Sequence, residues 1–237
     1  MRNDSIDLLR QEIKKHEKPA NLINYQRFFK EPLKEPIGLK TAILRKISDN
    51  GYKTIKDMPA SKILKLCDQL LASRVRYMRF FAFDWAGKIS KQYRPQDFKQ
   101  FEYWLNRYVD DWAACDSLCI GPIGNLLLAF PDLTVKTKKW AKSKNRWLRR
   151  AAAVSLIVPA RKGLLLDEVF AAADSLLLDS DDMVQKGYGW MLKETSNRHQ
   201  RDVFNYVMMH EDKMPRTALR YAIEKLPPPM RRQAMSK

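Results

Sequence analysis

The feature that most constrains the fold of this chain is one helical pattern that returns at near-regular intervals. Each copy begins with charged or polar residues, has small residues at its centre and ends with apolar residues. The four copies lie at residues 76–86, 145–156, 183–192 and 215–226. One aligned position, spaced by 37, 34, 36 and 33 residues, consists of Arg79, Asp116, Arg150, Lys186 and Leu219. Helix pairs with such a period predict an α-solenoid of HEAT type, in which each pair buries its apolar face against its neighbours.

Helical periodicity extends over nearly the whole chain, and no alternating apolar/polar run predicts a strand. The predicted helices lie at roughly 4–16, from Pro19 onward, 41–48, 59–73, 74–91, 95–109, 112–129 with an interruption at Gly121 and Pro122, 132–143, 145–158, 163–177, 180–194, 199–210 and 214–226. We therefore predict an all-α fold: a HEAT-like repeat α-solenoid, or α-α superhelix, with a concave basic groove. A single domain is expected over residues 1–237, with a basic tail at about 227–237 that frays.

The charge of the chain favours a polyanionic partner. Its 237 residues carry a formal net charge of +17, and no acidic residue occurs between Asp132 and Asp167. That interval holds ten basic residues: Lys136, Lys138, Lys139, Lys142, Lys144, Arg146, Arg149, Arg150, Arg161 and Lys162. An anionic membrane surface is the weaker alternative, because no lipidation motif or long apolar run accompanies the charge.

Several classes of site are not indicated by the sequence. The cysteines Cys67, Cys115 and Cys119 form no C-x-x-C pair and are expected to be small buried side chains in a reducing cytoplasm. The three histidines are far apart, and no glycine-rich nucleotide loop is present. We therefore expect neither a metal nor an organic cofactor. The amphipathic N-terminus resembles neither a signal peptide nor a spanning helix.

Asp116 is the most unusual member of the aligned position, because three sister repeats place Arg or Lys there. Trp112 precedes it by four residues, so a helix would bring both side chains to one face. In the alternative interpretation, Asp116 only forms a structural bridge with Arg149 or Arg150. Tryptophans at helical spacing are usually core residues, and this is the prediction for Trp85, Trp104, Trp140 and Trp147. For Trp112, Trp190 and Tyr25, a place in the core is the alternative to a functional role.

Three motifs together resemble the DNA alkylation repair family of HEAT-like-repeat DNA glycosylases (the AlkD type). They are W-x-x-x-D at 112–116, WLRRAAA at 147–153 and VQKGYGWML at 184–192. The resemblance covers roughly residues 25–226. The sequence departs from the family pattern where Asp111 replaces a tryptophan and where Gly187 stands in place of the commoner alanine.

The resemblance implies a function and a set of site residues. The family excises cationic alkylated purines such as 3-methyladenine and 7-methylguanine from duplex DNA, so the chain is expected to be a DNA glycosylase of base excision repair, a hydrolase of N-glycosyl bonds. By residue, it implies a catalytic Asp116, substrate contacts by Trp112, Trp190 and Tyr25, and a phosphate contact by Arg150. The neighbouring basic residues expected to contact DNA are Arg149, Lys186, Lys144 and Arg146.

The predicted partner is therefore duplex DNA containing alkylated purines, bound by a monomer in a bacterial-type cytoplasm, without metal or membrane. Two alternatives stay open. One is a catalytically silent nucleic-acid-binding module, although simple binding would favour a basic residue at position 116. The other is a protein-interaction scaffold, which predicts an apolar groove instead of an electropositive one.

Overall fold

The computed structural model describes residues 4–18, 29 and 38–236. Over these ranges the regular structure is entirely helical and no strand occurs. The all-α prediction is thus confirmed, and the arrangement is consistent with an α-solenoid. Contacts divide the chain into two compact units, Met1–Gln92 and Tyr93–Lys237. The single domain over 1–237 stays a prediction.

The first unit contains four helices among its described residues. They are α1 (Asp4–His16), α2 (Thr41–Lys53), α3 (Ala60–Ala72) and α4 (Arg76–Lys88), followed by a 3₁₀ turn at Ser90–Gln92. Helices α3 and α4 form the main packed pair. Trp85 of α4 is buried as predicted, and its indole Nε1 donates to the Ser48 carbonyl of α2 at 3.0 Å. That bond satisfies the one polar atom of an otherwise apolar side chain.

The second unit begins with α5 and holds the remaining helices. They are α5 (Asp97–Tyr108), α6 (Trp112–Leu118), α7 (Gly124–Ala129), α8 (Thr134–Thr137), α9 (Arg146–Val154), α10 (Ile157–Arg161), α11 (Leu166–Leu176), α12 (Asp182–Thr195), α13 (Gln200–Met209), α14 (Arg216–Ala222) and α15 (Pro228–Met235). Short 3₁₀ segments lie at Pro131–Leu133 and Lys138–Lys142.

The helices that carry the aligned position pack in series within this unit. Helix α6 contacts α9, α9 contacts α12, and α12 contacts α14. The last contact is close because Gly189 faces α14. A Cβ at position 189 would lie 2.7 Å from the Ala218 carbonyl oxygen, so only glycine allows this approach. Successive nearest-neighbour contacts of this kind are what a repeat array requires.

The helix that starts at Trp112 continues to Ala129, although an interruption was predicted at Gly121 and Pro122. A π-helical segment at Cys119–Ile123 accommodates Pro122, which has no N–H to donate to the ladder. The stretch Trp112–Ala129 is long and apolar enough to cross a membrane by composition, but half of it is buried within the protein. Its apolar residues therefore serve packing.

Two further sequence expectations differ from the structure. The tail predicted to fray instead forms α15, which starts at the proline run after the Pro227 cap. This helix packs on α13, and its Ala234 is buried. Proline suits a first helical turn because it has a preset φ and its missing N–H would have no partner there. Of the tryptophans predicted to be core in this unit, Trp104 and Trp140 are fully buried, whereas Trp147 is partly exposed with the Arg146 guanidinium 5.0 Å from its ring.

Candidate active site

The N-cap of α6 sets the position of the candidate site. Asp111 has an extended backbone conformation, and its side chain accepts a hydrogen bond from the Ala114 amide at 2.9 Å. This cap starts the helix at Trp112 and leaves Trp112 and Asp116 one turn apart on one face. Both side chains are partly exposed. The acid that interrupts the family's tryptophan pattern thus has a local structural task.

Asp116 is clamped by Arg150 of α9. The guanidinium Nε lies 2.8 Å from Asp116 Oδ1 and Nη2 lies 2.9 Å from Oδ2, which is the two-bond geometry that arginine and a carboxylate favour. Only 6% of the Arg150 side chain and 15% of the Asp116 side chain are exposed. Arg150 Nη1 also donates to the Met183 carbonyl, so this side chain joins α6, α9 and α12.

Both ends of this pair have perturbed acidity. Burial raises the pKa of the Asp116 carboxyl above its usual value, Arg150 opposes that shift, and Asp111 adds to it. For Arg150, burial alone would lower the pKa, but the Asp116 carboxylate more than offsets it and the pKa is raised. The guanidinium is therefore cationic at neutral pH, and it favours the ionised form of a carboxylate that burial would otherwise neutralise.

Two thiols lie behind the carboxylate. Cys115 and Cys119 are fully buried with their sulfurs 4.0 Å apart, and both are free. Burial, followed by the contact with Cys115, raises the pKa of Cys119. Both residues are thus small buried core side chains, as predicted from their spacing.

Comparison with known proteins identifies the family. A family model described as "DNA alkylation repair enzyme" matches residues 9–226. The chain belongs to the DNA alkylation repair enzyme family. Its fold also resembles the solved structure of a "predicted DNA alkylation repair enzyme from Enterococcus faecalis", with a TM-score of 0.77 and 16% identity over 90% of this chain and 98% of that chain. No curated protein matches the sequence.

Two other predicted site residues lie on α12. Lys186 and Trp190 are one turn apart, both partly exposed, and Lys186 Nζ lies 3.2 Å from Asp182 Oδ2. Gly187 faces the candidate site: a Cβ there would lie 3.1 Å from Cγ of Arg150. The departure from alanine at this position therefore leaves room for the arginine that holds Asp116.

Three predicted DNA contacts flank the start of α9. Arg149 Nε lies 2.6 Å from Asp179, and its Nη1 donates to the Ser143 and Lys144 carbonyls at 3.0 and 3.1 Å. Arg146 Nε lies 2.9 Å from Asp181. Lys144 is exposed. The two arginines thus join α9 to the loop before α12, and Arg149 also binds the loop before α9. DNA contact by all three residues stays a prediction.

The remaining predictions concern Tyr25 and metals. Tyr25 lies outside the described residues. Among residues 4–18, 29 and 38–236, no group of three or more His, Cys, Asp or Glu side chains could hold a metal ion.

Sequence reasoning missed one acid beside Trp190. Glu194 follows it by four residues, the spacing that also joins Trp112 to Asp116, and accepts its indole N–H at 3.2 Å. The recurrence of Trp-x-x-x-acid on α6 and α12 was visible in the sequence and could have revealed it.

Proposed function

We propose that this protein is a DNA glycosylase that hydrolyses the N-glycosidic bond of cationic alkylated purines in duplex DNA. The observation that carries the proposal is the Asp116 carboxylate, held by two hydrogen bonds from a buried Arg150 and one helical turn from Trp112, in a chain of the DNA alkylation repair family. The protein is expected to act as a monomer in the cytoplasm, without metal or organic cofactor.

The chemistry of the substrate explains why one carboxylate would suffice. An alkylated purine such as 3-methyladenine carries positive charge, so it leaves as a neutral base and needs no general acid. Bond cleavage leaves positive charge on the deoxyribose. A fixed negative charge beside that sugar stabilises the transition state without having to reorganise.

The size of this effect can be estimated from the pair. A carboxylate about 4 Å from the sugar contributes on the order of 4 kcal/mol at an effective dielectric constant of about 20. A sugar in that position would lie about 8 Å from the Arg150 guanidinium, on the far side of the carboxylate, and the guanidinium would oppose the stabilisation by about 2 kcal/mol. The net of about 2 kcal/mol corresponds to roughly a thirtyfold rate increase. Each carboxylate oxygen also has a further lone pair that can accept a hydrogen bond from the attacking water.

Trp112 and Trp190 would hold the cationic base through their ring faces. Such contacts contribute about 0.5–2 kcal/mol each, depending on how far the cation is desolvated. Basic residues with accessible side chains, among them Lys144, Lys186, Arg146 and Arg149, would contact phosphates without reading sequence. Arg150, only 6% exposed and bonded to Asp116, would act mainly through that carboxylate, and the salt dependence of binding tests its predicted phosphate contact.

Base release from methylated duplex DNA tests the proposal. Wild-type protein is expected to release 3-methyladenine and 7-methylguanine, and Asp116→Asn to release both far more slowly while still binding the duplex. Asp132→Asn is the matched control, because it removes an exposed acid of the same unit. Full activity of Asp116→Asn would refute the mechanism, and an inactive wild-type protein would refute the proposed function.

A second candidate function is supported by the same pair. The Asp116–Arg150 geometry is also what a purely structural bridge would adopt, which favours a duplex-binding module without catalysis. That module would bind methylated and unmethylated duplexes equally and release no base.

A further inference from the structure

Glu194 is a nearly buried carboxylate that the proposed chemistry does not use. Only 9% of its side chain is exposed, although it lies on α12 one turn beyond the partly exposed Trp190. A charge at such a position is costly unless it is fully paired. Its surroundings therefore indicate what it does.

Three donors from three segments converge on this carboxylate. Arg161, the last residue of α10, donates from Nε to Oε2 at 2.8 Å. Lys225, in the turn after α14, donates from Nζ to Oε1 at 3.1 Å. The same Oε1 accepts the indole N–H of Trp190 at 3.2 Å. Glu194 is thus tied to both flanking segments, and through it the Trp190 indole is tied to them as well.

The charge of this group is secure at neutral pH. Burial raises the pKa of Glu194, but hydrogen bonds from Arg161 and Lys225 more than offset that effect and leave the pKa below its usual value. An ionised carboxylate at the N–H edge fixes the rotation of the indole and leaves its ring faces unobstructed by that contact. It also draws the N–H proton, which raises the electron density of the ring and strengthens attraction to a cation over its face.

We propose that Glu194 is a positioning residue that orients and polarises the Trp190 indole for contact with the cationic base. This inference rests on the proposed function. It is distinct from a purely structural bridge between α10, α12 and the turn after α14, because its effect must pass through the indole N–H.

The Lys193–Glu224 pair provides a matched control. Lys193 Nζ lies 2.7 Å from Glu224 Oε1, so this ion pair joins α12 to the same turn as Lys225. Glu224→Gln therefore removes a carboxylate charge at the same junction. The ion pair of Glu224 involves no tryptophan.

The experiment measures single-turnover base release from methylated duplex at several protein concentrations. It compares wild type, Glu194→Gln, Trp190→Phe, the double variant Trp190→Phe/Glu194→Gln and Glu224→Gln. Each curve yields a half-saturation concentration and a maximal rate. The near-UV circular dichroism of each variant reports on the indole environment independently of activity.

Glu194→Gln is expected to raise the half-saturation concentration by about 2- to 30-fold, the range of one ring-face contact with a cation. It should also alter the near-UV spectrum. Phenylalanine has no N–H, so adding Glu194→Gln to Trp190→Phe should change the half-saturation no further. Glu224→Gln should match wild type.

Two results would overturn the inference while leaving the proposed function intact. One is active wild-type protein with unchanged half-saturation in Glu194→Gln. The other is an equal rise in half-saturation concentration when Glu194→Gln is added to the wild type and to Trp190→Phe. That result would indicate a structural bridge only. Absence of base release by the wild-type protein would instead refute the proposed function, and this role with it.

Discussion

Replacing Arg150 with methionine separates the structural and electrostatic roles of the central pair. Methionine approximates the length of the arginine stem but supplies no donor. The Asp116 carboxylate, 15% exposed, then loses both of its hydrogen bonds, and the Met183 carbonyl loses one. Breaking one side of a buried pair costs about 3–5 kcal/mol because the remaining charge is uncompensated.

That loss should be visible in thermal and urea denaturation at pH 7. In a chain of this size, each 1 kcal/mol shifts the melting temperature by roughly 2–4 °C, so Arg150→Met should melt about 6–20 °C lower. Lys193→Met, which breaks the more exposed pair with Glu224, should cost under about 1 kcal/mol. The double variant Asp116→Leu/Arg150→Met should recover most of the loss, because no unpaired charge is left behind.

The result that refutes this reasoning is a loss below about 1 kcal/mol for Arg150→Met, no larger than for the control. The carboxylate would then be solvated in the variant, and the pair would behave as a surface ion pair. A loss that the double variant does not recover would instead mean that Arg150 stabilises mainly through α12.

Four further outcomes are expected. Because the pKa of Asp116 is raised, base release that needs the ionised carboxylate should fall on acidification at a pH above the usual aspartate value, as a pH–rate profile can check. If Lys144 contacts a phosphate, Lys144→Ala should reduce the slope of log binding constant against log salt concentration by about 0.9. An unchanged slope for Arg150→Ala would mean that Arg150 contacts no phosphate. Gly189→Ala should cost about 1–3 kcal/mol in urea denaturation, because its Cβ meets the Ala218 carbonyl oxygen at 2.7 Å. Chelators should leave base release unchanged, and loss of activity in EDTA would reveal a metal requirement.

The fold was largely predictable because the information is local and repeated. Helical periodicity and the aligned position predict helices that pack in series, and α6, α9, α12 and α14 do so. The end of the chain was not predicted, since a short basic segment after three prolines resembles a frayed tail. The packing of α15 on α13 and the burial of Ala234 are tertiary effects that no local pattern reports.

The candidate site was predictable only in part. The spacing of Trp112 and Asp116 follows from one helix, whereas the choice between Arg149 and Arg150 as the partner of Asp116 depends on how α9 faces α6. Arg149 turns instead to Asp179, thirty residues further along. Pairings across such separations depend on helix packing, and charge spacing along the sequence does not reveal them.

The partnership with Arg150 supports a role of Asp116 in chemistry as well as in structure. A carboxylate this buried has its pKa raised by desolvation, and without a cation it would tend to accept a proton and lose the charge that stabilises an oxocarbenium ion. Arg150 opposes that shift and favours the ionised form, while cancelling part of the field of the carboxylate at a distance. The cancellation is incomplete nearby, because a substrate on the open side of the carboxylate lies closer to the oxygens than to the guanidinium. The pair therefore attracts a cation over a few ångströms and has little effect further away, which suits a site that must bind a polyanion and still stabilise positive charge on one sugar.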